Sequence, residues 1–78
     1  MSLAKVGAPV WTKLANVLGP EEAGKIVRDV LLEMGLVQLR TPDERFRFGE
    51  RLVLRGGMLQ VMGRSIQTQA LLHGANLL

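Results

Sequence analysis

Proline and glycine divide this chain into short segments, and that division limits its fold more than any other feature. Pro9, Pro20 and Pro42 each open a stretch in which apolar residues recur three and four positions apart. Proline suits the first turn of a helix, because its φ is already helical and its missing N–H is not needed there. Gly35 and Gly74 follow such stretches, where glycine commonly ends a helix. The pattern predicts several short α-helices.

The segment from Pro20 to Met34 carries the clearest helical signal. Its apolar residues form one stripe at helical spacing: Ala23, Ile26, Val27, Val30, Leu31 and Met34. Glu21 and Glu22 follow the proline, where negative charge favours the positive end of the helix dipole. We therefore predict a helix over residues 20–34 that ends at Gly35.

Three further helices are predicted, over residues 9–18, 42–55 and 58–73. Thr41 and Glu44 have the spacing of a capping box at the start of the third. Gly56-Gly57 separates or kinks the third and fourth helices, because two adjacent glycines cost about 2 kcal/mol in a helix interior. The expected fold class is all-α, a compact four-helix unit forming a single domain over residues 1–78.

The residue inventory argues against catalysis. The chain has no cysteine, no tyrosine and one histidine, His73. Ser65 carries a hydroxyl on the predicted fourth helix, but it lies eight positions before His73, about 12 Å along a helix, which is beyond hydrogen-bond reach. We expect no enzyme activity, no cofactor and no metal site.

The first residues do not read as a secretory signal, because Lys5, Pro9 and Lys13 interrupt the apolar stretch. No uncharged apolar window reaches the length of a membrane span. The expectation is a cytoplasmic protein that does not act at a membrane.

Several apolar residues lie outside the main stripe of their helix, and helices that are apolar on more than one face are usually buried on more than one side. The fourth helix places Met62 and Ile66 on one face and Val61 and Leu72 toward another. Because four short helices offer few buried sides, we expect a second chain to supply the rest. The predicted interface consists of Trp11, Leu32, Phe46, Phe48, Leu59, Met62, Gly63, Ile66 and Ala70.

Arginine supplies the charge of the second half of the chain. The formal net charge of +3 lies entirely within residues 40–78, and Arg47, Arg51 and Arg55 form a ridge with a spacing of four. With Arg64 they are the candidate contacts to phosphates or other anions. Asp43 and Glu50 on the same helix weaken this interpretation.

The favoured function is a small, non-enzymatic protein–protein interaction module that forms a homo-oligomer, most simply a dimer. The first alternative is an arginine-mediated nucleic-acid-binding protein. The second is a small adaptor for a different protein.

Overall fold

The computed structural model describes residues 7–75, which form four α-helices and no β-strand. The helices are α1 (Ala8–Leu18), α2 (Pro20–Met34), α3 (Pro42–Arg55) and α4 (Gly57–Leu72). This confirms the predicted all-α fold with four helices, with each boundary within one residue of its expected place. Gly56 lies between α3 and α4, so these are two separate helices.

The helices divide into two units, with α1 and α2 in residues 1–39 and α3 and α4 in residues 40–78. Within each unit the two helices pack against each other. A single domain over residues 1–78 would require the two units to belong to one domain, and it stays a prediction.

In the first unit, the single residue Gly19 joins α1 to α2. Val10 and Leu14 of α1 are buried, as is the apolar stripe of α2 except Met34, which is half-buried. At the end of α2, Gly35 adopts the left-handed conformation with φ 69°. Its N–H donates to the Leu32 carbonyl, and the Leu36 N–H donates to the Leu31 carbonyl. These two bonds form a Schellman motif, which ends the helix where the sequence predicts.

The second unit begins with a capping box. The Glu44 N–H donates to the Thr41 hydroxyl oxygen at 3.1 Å, and the Thr41 N–H donates to the Glu44 carboxylate at 3.2 Å. Both bonds satisfy backbone donors near the start of α3 that no helical carbonyl can reach. The start of α3 is therefore determined by residues close in sequence.

Two glycines bring α3 and α4 close together. A Cβ atom built on Gly49 would lie 2.7 Å from the Gly63 carbonyl oxygen. A Cβ atom on Gly63 would lie 2.8 Å from the Val53 backbone nitrogen and closer still to the Gly49 carbonyl oxygen. Real Cβ atoms essentially never come within 3.0 Å of such atoms. The two backbones are in contact here, at a separation that only glycine permits.

Candidate interaction surfaces

The structure separates the predicted interface residues by burial. Phe48, Met62, Ile66 and Ala70 are at most 5% exposed, and Gly63 is also buried. These five belong to the interior of the folded chain and offer almost no surface to a partner. Gly63 meets a close helical neighbour, and that neighbour is α3 of the same chain.

The other predicted interface residues retain accessible surface. Leu32 lies outside the apolar stripe of α2 and is 78% exposed. Trp11, Phe46 and Leu59 are half-buried. Of the nine residues, Leu32 is therefore the large apolar side chain with the most surface left for a partner.

The side of α4 that faces away from its buried residues forms a second apolar surface. Met58, Val61 and Leu72 are 60%, 69% and 74% exposed. At 100° per residue they share one side of the helix with Ser65, which is half-buried, and Thr68, which is exposed. We call these five residues the α4 outer face.

The α4 outer face is less polar than its composition suggests. The Thr68 hydroxyl donates to the Arg64 carbonyl at 3.0 Å, so its donor hydrogen already has a partner within the helix. Burial of this hydroxyl costs little, because the penalty for burying a polar group applies mainly to groups without a hydrogen bond.

Charge is nearly absent from α4. Arg64 is the one charged residue among its 16 residues, and it lies beside the outer face. The solvent-facing side of a globular helix usually carries charged and polar residues. The outward side of α4 therefore carries less charge than the solvent-facing side of a helix usually does.

The sequence pattern places Val61 and Leu72 away from the first apolar face of α4, whereas the predicted interface residues of α4 lie on that first face, most of which is buried. The hydrophobic pattern alone could not rank the two faces. The spacing of Met58, Val61, Ser65, Thr68 and Leu72, three and four residues in alternation, was the signal available in the sequence.

Other large apolar residues are exposed outside the α4 outer face. Leu54 near the end of α3 is 78% exposed, Val37 in the connector is 75% exposed, and Val17 and Leu71 are close to half exposed. Val37 lies outside the helices, so it serves as a comparison for substitutions on α4.

The four candidate arginines, Arg47, Arg51, Arg55 and Arg64, are all exposed. The first three follow one side of α3, as their spacing predicts. Two exposed acidic residues of the same helix, Asp43 and Glu50, lie among them. The surface is therefore of mixed sign.

Residues 7–75 contain no group of three or more histidine, cysteine or acidic side chains placed to hold a metal ion. His73 is exposed at the end of α4. No helix in the described part of the chain is long and apolar enough to cross a membrane.

A shallow depression of about 290 Å³ lies at the junction of α1 and α2. Glu21 and Glu22 line it together with Leu18, Gly19 and Pro20. Both glutamates occupy the first turn of α2, where their charge stabilises the helix dipole. Their position is explained by the helix, without a ligand.

The chain was compared with protein-family models, with curated proteins and with solved structures, and none of the three comparisons finds a match.

Proposed function

We propose that this protein is a non-enzymatic interaction module that self-associates through exposed apolar helix surface, with the α4 outer face as the main contact. The observation that carries the proposal is the exposure of Met58, Val61 and Leu72 along one uncharged side of a single helix. Isolated exposed apolar residues are common on monomers, whereas contiguous apolar surface marks interaction sites.

The expected association is weak. Complete burial of one such side chain stabilises by about 1.5–3 kcal/mol, so six side chains that are about two-thirds exposed contribute on the order of 6–12 kcal/mol in a symmetric dimer. Association costs an estimated 4–15 kcal/mol in lost translational and rotational freedom. The two terms are of similar size, so the association is expected to be weak and to depend on contacts from the residues around the face.

Size-exclusion chromatography with light scattering tests self-association on the full chain. We expect the molar mass to rise from monomer towards dimer between about 5 and 500 μM, the concentrations at which weak association becomes visible. A monomer mass throughout that range would overturn self-association and favour the adaptor for a different protein.

A matched pair of variants tests the face itself. Val61→Glu places a charge on the α4 outer face and should abolish the dimer, because an unpaired charge in an apolar interface is strongly unfavourable. Val37→Glu makes the same change at a residue of similar exposure in the connector and should leave the dimer intact. Equal association of the two variants would exclude the α4 outer face as the contact.

Nucleic-acid binding remains the second candidate, supported by the exposure of Arg47, Arg51, Arg55 and Arg64. This candidate predicts binding to labelled duplex DNA or RNA that weakens steeply as the salt concentration rises. The Arg47→Glu/Arg51→Glu double variant should lose this binding. Fluorescence anisotropy with no change at low salt would remove this candidate.

A further inference from the structure

The α4 outer face is arranged almost symmetrically about Ser65. Met58 lies seven residues before Ser65 and Leu72 lies seven residues after it. Val61 lies four residues before Ser65, and Thr68 lies three residues after it. The face thus has its largest side chains at both ends and its smallest at the centre, at the alternating three- and four-residue spacing of a helix–helix seam.

We propose that a second copy of this chain covers the α4 outer face by packing its own α4 antiparallel across it, with the two Ser65 residues at the crossing point. This rests on the proposed function, and it specifies the partner, the direction and the register. The two copies are related by a two-fold axis that passes between the serines.

The distribution of side-chain size supports a second copy as the occupant. A two-fold interface brings the same patch of both subunits together, so the patch must be complementary to itself. The rotation places Met58 opposite the partner's Leu72, and Val61 opposite the partner's Thr68. The small Ser65 side chains allow the helices to approach closely at the centre, while the large residues close both ends.

Charge also favours this occupant. An acidic or basic partner would find no opposite charge on the α4 outer face itself, whereas the outer face of a second α4 is equally uncharged. Arg64 lies beside the crossing point, and its long, exposed side chain can extend into solvent at the edge of the helix pair.

The ends of α4 favour the antiparallel direction. The helix has no acidic residue in its first turn and no basic residue in its last turn. Its own charged side chains therefore do not offset either end of the helix dipole. An antiparallel partner places the positive end of one α4 beside the negative end of the other, which a parallel partner does not.

The natural absence of cysteine allows the register to be tested by disulfide cross-linking in the full chain. Ser65→Cys should form a disulfide-linked dimer under mild oxidation, because the two Cα atoms lie at the crossing point and a disulfide needs them within about 7 Å. Val37→Cys, exposed in the connector, measures the background from random collisions.

Two further variants determine the direction. In the antiparallel register the two copies of residue 61 lie about 12 Å apart along the helices, and the two copies of residue 68 about 9 Å apart. Val61→Cys and Thr68→Cys should each cross-link poorly alone. A mixture of the two, with one chain enlarged by a tag, should give the mixed dimer.

The outcomes separate this inference from the proposed function. Strong cross-linking of Val61→Cys and Thr68→Cys each with itself would indicate parallel helices and overturn the antiparallel register. Failure of Ser65→Cys to cross-link above the Val37→Cys background, in a protein that dimerises by light scattering, would overturn the inference and leave self-association standing. A wild-type monomer would overturn both.

Discussion

Replacing Gly63 by alanine should destabilise the α3–α4 unit, although alanine is the better helix former. The new Cβ atom would lie 2.8 Å from the Val53 backbone nitrogen and 2.9 Å from its Cγ2 atom, where about 3.5 Å is needed for an unstrained contact. The Val53 side chain could rotate away, but the backbone nitrogen moves only with α3. The two helices must therefore separate by at least about 0.7 Å at the crossing, because the Gly49 carbonyl oxygen lies closer still to the new Cβ atom.

Two opposing terms determine the size of this effect. Overpacking a well-packed contact typically costs 1–3 kcal/mol, and a gap of this width also weakens the dispersion contacts along both helices. The higher helix propensity of alanine offsets up to about 1 kcal/mol of this cost. The expected net loss is about 1–2 kcal/mol in the free energy of unfolding, which lowers the melting temperature by about 4–15 °C in a chain of this size.

Thermal and urea unfolding followed by circular dichroism measure this loss, and amide hydrogen exchange locates it in α3 and α4. Gln69→Ala, an exposed change on the same helix, is the control and should alter stability by less than about 0.5 kcal/mol. A Gly63→Ala variant that melts at or above the wild-type temperature would show that α3 and α4 separate without cost, and the argument from the glycine contact would fail.

Two further predictions concern the same unit. In urea unfolding, the Gly49→Ala/Gly63→Ala double variant should lose less stability than the sum of the losses of the two single variants. The reason is that the separation of α3 and α4 forced by one alanine makes room for the other. Full additivity of the two losses would contradict a shared contact. Thr41→Ala should lower the free energy of unfolding by about 1 kcal/mol, because it removes the Thr41 hydroxyl that accepts from the Glu44 N–H. Thr12→Ala, at an exposed position in α1, is the control and should change stability little. Equal losses of stability from the two variants would show that the cap does not stabilise α3.

The helix boundaries were predictable because the interactions that determine them are local. Thr41 and Glu44 are three residues apart and form both capping-box bonds between themselves. Gly35 ends α2 through hydrogen bonds that reach back no further than Leu31. Such signals can be recognised in a single sequence without knowledge of the tertiary structure.

The burial of individual side chains on α4 was not predictable to the same degree. Met62 and Val61 are adjacent and both apolar, yet Met62 is 5% exposed and Val61 is 69% exposed. Gly63 contributes nothing to a hydrophobic pattern, and the Gly49 carbonyl that it meets lies fourteen positions earlier in the chain. A backbone contact between two single residues adds no periodic hydrophobic pattern to the sequence.

The meeting of Gly49 and Gly63 also determines how the chain tolerates mutation. Every amino-acid replacement at either codon adds at least one carbon atom where a carbonyl oxygen already lies. Conservative replacement does not exist at these two positions, unlike at a buried leucine, where isoleucine or methionine can often substitute. In a random library selected for folded protein, glycine at 49 and 63 should persist while the neighbouring surface of α4 diversifies, so the residues without side chains become the least replaceable part of the unit.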